Sequence, residues 1–507
     1  MYRNPGTFVT ERLRKIQALR DLGVDPYPQQ AYSPTHTIPQ VLADADRLIE
    51  TEGPARVAGR IVACRSMGKV IFIDLLDGGE KLQIFVYQSD LLPSAWEAVT
   101  LLDLGDFLGV EGPLFRTRSG QLSVRSRSLT VLAKATHPIP LPKQRGDQLH
   151  AAVTRREVLH CHRHIDTIAN RGSREVFVKR TAILRGVRHY LDAEGFLEVE
   201  TPILGAAYGG ASARPFLTHG NALDEAMFLR ISPECSLKRW LVAGFNRVYE
   251  LGKNFRNEGI DASHNPEFTM VEWYEAYSDY LEQMTRFETL VAGLCEQVNR
   301  TTRIAYRGRP LDLTPPWRRL PMIEAIGEYA GLDMGSTTVN DMPEVFRRHH
   351  PGGLDALPQP LTWGAAVTEL FEALVEPHLW DPVFVMDHPL EISPLTKAHR
   401  RDPRLVERFE PMIAGMEVGN SYTELNDPVE QYQRLTAQQM SREQAYDMDY
   451  EFLLAMAHGM PPAGGTGLGV DRIVMILTGA ASIRDVIFLP LTSHGNVKAM
   501  AVGPAGG

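Results

Sequence analysis

The sequence predicts an α+β protein: a small closed β-barrel, then a larger domain built on an antiparallel sheet flanked by helices. Three observations predict it. Short β runs punctuated by glycine crowd residues 55–135. A proline-rich polar stretch, HPIPLPKQRGDQ (137–148), then breaks the pattern. Beyond it, strand-like and helical runs mix without the regular beat that a doubly wound parallel sheet needs. Length agrees, since 507 residues exceed what one compact core holds.

Taken in order, residues 1–54 form an N-terminal helical segment. Its opening, MYRNPGTFVTERLRKIQAL, reads as a charged amphipathic helix and lacks the apolar core of a secretory signal. Residues 55–136 carry five strand-like runs, RVAGRIVA, KVIFIDLLD, EKLQIFVY, DFLGVEGPLFRT and QLSVRSRSLTVLA. Five strands in so short a span suit a closed barrel, for which an OB-fold is the natural candidate. Residues 137–150 are the linker. The large domain, 151–490, begins with the helical REVFVKRTAILRGVRHYLDAEG, ended by Gly195, and the apolar run FLEVETPIL, broken at Pro202. Strand-like runs follow at MFLRIS, RVYELGKNFR, EFTMVEWY, RFEPMIAGMEVGNSYTEL and DVIFLP, with helical stretches at 281–299, 365–377 and 428–445. The small, polar LTSHGNVKAMAVGPAGG closes the chain as a loosely held tail, 491–507.

Bulk properties narrow the classes of function. No apolar run is long enough for a transmembrane helix. The four cysteines, Cys64, Cys161, Cys235 and Cys295, are scattered without a CxxC pair, which fits reduced thiols in a cytoplasmic protein. A net charge of −9 disfavours a large nonspecific nucleic-acid surface. It leaves room for local basic clusters, at Arg116–Arg118–Arg125–Arg127 and Arg155–Arg156–Arg163, which on charge alone read as solvated faces.

The chemistry concentrates in four segments. In RNEGIDASHNPEFTMVEWYEAYSDY, Arg256 and Glu258 are two residues apart, as are Glu272 and Tyr274. On strands each pair shares a face, so a hairpin here would aim an Arg, two Glu and a Tyr at one cavity. Its loop carries His264 and Asn265, within reach of a nucleotide's outer phosphates. Phe268 shares parity with Glu272 and Tyr274, so its ring could stack on a purine, although core packing is the preferred reading when it is taken alone. The second segment holds the small-residue loop Gly209-Gly210-Ala211-Ser212, which admits close backbone approach or is a plain tight turn. There Glu234 reads either as a ligand contact or as a helix cap. In the third, RFEPMIAGMEVGNSYTELND, a hairpin turning near Ala414-Gly415 sets Glu410 and Glu417 roughly opposite, a pair suited to Mg²⁺. Asn420, Tyr422 and Glu424 alternate on one face and could hold an amino acid with a cationic side chain. The fourth, GGTGLGVDR, reads as a glycine-rich strand entering a helix, with Arg472 near its start for a triphosphate or adenine, or simply exposed. It lacks the βαβ unit of a dinucleotide fingerprint.

Together these segments closely resemble the class II lysyl-tRNA synthetases, from about 10 to 490. FRNEGIDASHNPEFTMVEWYEAYSDY is similar to the family's second motif, GGTGLGVDR to its third, and FLEVETPIL to its first, a dimer-interface motif. GGASARPF, RISPE and EVGNSYTELND resemble its amino-acid pocket, and the barrel resembles its anticodon-binding OB domain. The resemblance implies a class II catalytic domain that makes lysyl-adenylate from L-lysine and ATP and charges tRNA(Lys), as a cytoplasmic homodimer. It implies that Arg256 bridges the lysine carboxylate and the α-phosphate, with Asn420 on the carboxylate. Glu234 and Gly210 fall at the α-ammonium end of the pocket. Glu424 and Tyr274 take the ε-ammonium, with Glu272 nearby and Tyr422 over the alkyl chain. Glu258, His264, Asn265, Phe268 and Arg472 would hold ATP, and Glu410 and Glu417 its Mg²⁺. Arg256, Glu258 and Arg472 would act at the reacting phosphate.

The chain departs from the family pattern in three places. LHCHRHIDTI (159–168) stands where RYRQRYLDLI is usual; its alternating His160, His162 and His164 invite a metal reading, against which a solvent-facing strand or helix is preferred. Ser128 replaces a Glu that in some members reads the anticodon, and Cys235-Ser236 replaces Leu-Tyr. Two alternatives follow: a paralogue that gives lysine to a protein or small molecule, opposed by the retained barrel, and an inactive scaffold, opposed by the full set of pocket residues.

Overall fold

The computed structural model describes all residues except 1–5, 52, 142, 146–147, 151–155, 206–212, 441–447 and 493–507. The chain divides into two compact units, Met1–Glu175 with Thr492–Gly507, and Val176–Leu491.

In the first unit a six-stranded sheet runs Pro54–Met67, Val70–Asp77, Glu80–Tyr87, Leu122–Arg125, Phe107–Arg116, Ser128–Ala133. It closes because Pro54–Met67 also pairs with Phe107–Arg116, the register shifting between Ile61 and Ala63 so that one strand serves two partners. Alternation places Val57, Ile61, Ile71, Ile73, Ile84 and Val86 inside. The barrel is as expected, but the run QLSVRSRSLTVLA divides into two strands at Ser126-Arg127. Gly112 permits that division: a Cβ there would lie 1.9 Å from the Arg125 carbonyl oxygen. The predicted N-terminal helix spans Thr7–Asp21 and buries Val9, Arg12, Ile16 and Leu19. Burying Arg12 is offset by its guanidinium, which donates to the carbonyls of Leu104, Ala135 and His137.

Two readings in this unit gain detail. The polar stretch at 137–150 contains a short antiparallel ribbon, Lys143–Arg145 with Gln148–His150, rather than linker alone. LHCHRHIDTI is helical, one of the two expected forms, in Arg156–Cys161 and Arg163–Ala169, but it does not face solvent throughout. Helical spacing turns His160, Arg163 and Asp166 inward, and Arg163 pairs with Asp166 at 2.7 Å. Among the described residues no group of three or more His, Cys, Asp or Glu is placed to hold a metal ion.

The second unit is organised by a nine-stranded sheet. Its path is Arg318–Pro321, Val383–Met386, Arg408–Ile413, Gly419–Thr423, Ala463–Gly469, Glu267–Ala276, Arg247–Phe255, Leu197–Glu198, with Met416–Glu417 beside Arg408–Ile413. The centre is antiparallel, as expected; only the two outermost pairings are parallel. One face buries Tyr249, Val271, Trp273, Phe409 and Leu468 against the helices Tyr280–Asn299 and Val470–Thr478. Period-two alternation then commits residues 268, 270, 272 and 274 to the opposite face, where the site lies.

Most predicted elements are present, including the helices Arg171–Ala193, Tyr280–Asn299 and Trp363–Leu374 and the glycine-rich strand entering Val470–Thr478. The helix predicted over 428–445 is described as Pro428–Met440; its remainder, like nearly all of the tail, lies outside the described residues. DVIFLP is not a strand. Ser482 caps the short helix Ile483–Val486 by accepting from Arg484 N–H, which holds the start of that apolar run helical.

Candidate active site

The open face of the second unit's sheet floors a cavity of about 480 Å³. Among the predicted residues, Glu234, Arg256, Glu258, His264, Asn265, Phe268, Glu272, Tyr274, Glu410, Glu417, Asn420, Tyr422 and Arg472 all line it. Gly210 lies outside the described residues.

The Glu267–Ala276 strand delivers Phe268, Glu272 and Tyr274 by the parity that the sequence suggested. The same argument fails for Arg256 and Glu258. The partner strand ends at Phe255, so both sit in the loop, where Arg256 N–H donates to Pro266 O and Glu258 is exposed. Arg256 reaches the cavity with its guanidinium 5.2 Å from the centre of the Phe268 ring. The hairpin of the third segment turns at Ala414-Gly415, both left-handed with φ of 55° and 70°. Its register pairs Glu417 with Met412, so Glu410 stands diagonally from Glu417 on the same face rather than opposite it.

The amino-acid end is a nest of carboxylates. Glu234 opens the helix Glu234–Val242, but it is Ser232 that accepts the Glu234 N–H, so Glu234 is not the cap. Its carboxylate instead accepts from Lys238 Nζ at 2.6 Å, one helical turn on. The same ammonium pairs with Glu424, and both Lys238 and Glu424 are fully buried. Glu272 accepts from Ser232 Oγ at 2.7 Å and from the Tyr274 hydroxyl at 2.9 Å. Burial first, and then the Glu234 charge, push Glu272 up to about 7. Burial raises Glu424 to about 8, with Lys238 pulling it down and Glu234 and Glu272 pushing it up. Three neighbouring carboxylates with one ammonium among them repel, and that repulsion adds to burial in favouring the protonated forms of Glu272 and Glu424.

Glycine decides access to this nest. Gly465 lines the cavity, and a Cβ on it would lie 1.9 Å from Glu424 Oε1 and 2.4 Å from Tyr274 Cε1. Glu424 itself is fully buried and does not line the cavity; the missing side chain of Gly465 lets its Oε1 lie directly behind the cavity wall.

At the other end Arg408 donates to Asn420 Oδ1 at 2.9 Å, Ser393 Oγ at 3.0 Å and Glu410 Oε1 at 2.6 Å. Glu417 is raised, by enclosure first and by the neighbouring Glu410 next. Two such hard oxygen donors on one face fit a divalent cation. Arg472 NH2 lies 2.9 Å from His264 Nε2, and His264 Nδ1 lies 2.8 Å from Asp261. Enclosure works against the Asp261 charge, but N–H donors from Ser263 and His264 hold it down at about 2. The two contacts assign His264 a proton on Nδ1 and a lone pair toward Arg472. Sequence reasoning missed Lys238, Arg408, Ser232 and Gly465. Lys238 at i+4 from Glu234 and Arg408 at i−2 from Glu410 carried a usable spacing signal, whereas Gly465 carried none without its neighbours.

The sequence that builds this antiparallel six-strand core, its Arg-bearing loop and its glycine-rich strand has known relatives. The family model for tRNA synthetases class II (D, K and N) matches residues 155–493, and that for an OB-fold nucleic acid binding domain matches 55–132. The chain belongs to the class II tRNA synthetases. A lysine–tRNA ligase of Pelotomaculum thermopropionicum is 44% identical over 486 residues, covering 95% of this chain and 94% of the relative. Those of Carboxydothermus hydrogenoformans and Moorella thermoacetica are 43% and 44% identical, covering 95% and 94% of this chain and 97% and 96% of theirs. Within that class, the chain is a member of the lysine–tRNA ligase family.

Proposed function

We propose that this site joins L-lysine to ATP and passes the lysyl group to the 3′ end of tRNA(Lys). The observation that carries the reading is the buried trio Glu234, Glu272 and Glu424 with a single internal ammonium. Its surplus negative charge matches the two ammonium groups of lysine. Arg256 and the Asn420 amide take the carboxylate. Glu234 takes the α-ammonium, Glu424 with Tyr274 and Glu272 takes the ε-ammonium, and Tyr422 covers the alkyl chain. A neutral isostere would leave these carboxylates unpaired, which is how the pocket selects.

The lysine carboxylate oxygen attacks the α-phosphorus in line, diphosphate leaves, and the terminal tRNA hydroxyl then attacks the carbonyl and releases AMP. No protein nucleophile is needed, so positioning and charge neutralisation supply the rate. Arg256, Glu258 and Arg472 act at the phosphates, while His264, Asn265 and Phe268 hold the rest of the nucleotide. Glu410 and Glu417 would hold Mg²⁺, which neutralises phosphate charge when bound.

The barrel binds the anticodon in this reading. A homodimer is supported by the run FLEVETPIL, which resembles a dimer-interface motif and in which Leu197, Ile203 and Leu204 are exposed apolar side chains that a partner would cover. Four free cysteines suit a reducing, cytoplasmic setting. Among the described residues no helix is long and apolar enough to cross a membrane.

The test is lysine-dependent ATP–diphosphate exchange run beside charging of tRNA(Lys). Both activities are expected. Exchange without charging would point to another acceptor, and absence of both to an inactive scaffold.

A further inference from the structure

Lys238 brings an ammonium, the same kind of charged group as the substrate's own, to the carboxylates at the amino-acid end of the pocket. Its Nζ is sealed from solvent, lies 2.6 Å from Glu234 Oε1 and also pairs with Glu424 Oε2. The rings of Tyr422 and Phe452 close around it, with centres 5.4 and 6.0 Å from Nζ. Burial works against the charge, yet the two carboxylates more than offset it and the ammonium is held more tightly than in water. No hydrogen-bond donor other than this ammonium reaches Glu424 in the described structure, so its Oε1, beside Gly465, remains for a ligand.

We propose that Lys238 is a specificity-determining positioning residue, an internal ammonium that ties Glu234 to Glu424 and so sets the span between the acceptors of the substrate's two ammonium groups. It rests on the lysine-activating reading of this site. The physical basis is that carboxylates on separate elements repel and splay unless a cation joins them. Glu234 opens a helix and Glu424 follows a strand, so the span is set by one shared partner rather than by one backbone element. A fixed span measures the length of a diamino acid. A shorter homologue such as ornithine then reaches one carboxylate at the expense of the other.

The experiment is ATP–diphosphate exchange with lysine and with ornithine, over pH 6–9, on the wild type and on Lys238→Met, Lys238→Gln and Lys238→Arg. Met and Gln remove the charge. The KM for lysine is expected to rise roughly 30-fold or more, as when one partner of a buried charge pair is cut away. The KM for ATP stays put, and the acid limb of the lysine profile moves to higher pH. Arg keeps the charge but lengthens the bridge, so the profile stays while the lysine-over-ornithine ratio falls about tenfold or more. Should Met and Gln fail to fold, judged by circular dichroism, the Arg variant alone decides. An unchanged lysine-over-ornithine ratio and an unchanged pH profile in folded variants would overturn the proposal. A wild type that shows no lysine-dependent exchange would overturn the underlying functional reading instead.

Discussion

Arg408 Nε donates to Asn420 Oδ1 at 2.9 Å, which leaves the amide NH₂ of Asn420 as the end turned to a ligand carboxylate. The same guanidinium holds Glu410 and Ser393, so one half-buried fork sets the orientation of an amide and of a carboxylate suited to a metal together. Arg408→Lys keeps a charge but cannot make all three bonds. It is expected to lower kcat/KM for lysine by about 10- to 100-fold, read in exchange assays, with thermal stability little changed.

Gly465→Ala is expected to separate the two substrates. The added methyl would meet Glu424 Oε1 and the Tyr274 ring. Lysine binding should disappear in calorimetry while ATP binding stays, because Arg472, His264 and Phe268 stand elsewhere along the cavity. Relief of the clash costs about 1–3 kcal/mol of stability, seen as a lower Tm.

Lysine binding should be proton-linked. Burial and neighbouring carboxylates push Glu272 and Glu424 up to about 7 and about 8, above their ordinary 4.5. Below those values they hold protons, and the substrate's ammonium groups must displace them. Calorimetry in buffers of different ionisation enthalpy should therefore show net proton release at pH 7, fading by about pH 9. Affinity should be weaker at pH 6 than at pH 8 by about tenfold or more. The sign for folding follows too. A carboxylate with a raised folded pKa stabilises fully below its unfolded value and loses that contribution as pH climbs through 7 and 8. The gain in Tm on adding lysine should thus be larger at pH 8 than at pH 6.

Gly112→Val tests the barrel. A side chain there runs into the Arg125 carbonyl oxygen at the point where two strands separate. A loss of about 3 kcal/mol or more in the barrel's own unfolding transition is expected. Charging of tRNA(Lys) should fall sharply, with lysine-dependent exchange retained within about twofold if the barrel serves tRNA alone. Loss of both activities would show that the barrel does more.

The site was legible in the sequence wherever one element carried two of its members. Glu272 and Tyr274 share a strand face, Asn420 and Tyr422 share another, and the turn at Ala414-Gly415 follows from a small, flexible pair. Legibility failed where a boundary mattered. The strand before the loop stops at Phe255, so parity says nothing about Glu258, and a one-residue offset at the hairpin puts Glu410 and Glu417 on a diagonal. DVIFLP looked like a strand because apolar β-branched residues favour one, but Ser482 caps a helix there.

The sequence by itself determined the two-domain α+β architecture, the barrel and the list of charged residues that could meet a cationic amino acid and a nucleotide. It does so because strand parity, turn chemistry and glycine placement are local. Only the tertiary structure decided that Lys238 stands between Glu234 and Glu424, that Arg408 orients Asn420 and Glu410, and that Gly465 lies directly over Glu424 and Tyr274. Each depends on elements distant in the chain meeting at a few ångströms, where electrostatics and steric contact act and where no local pattern records the outcome.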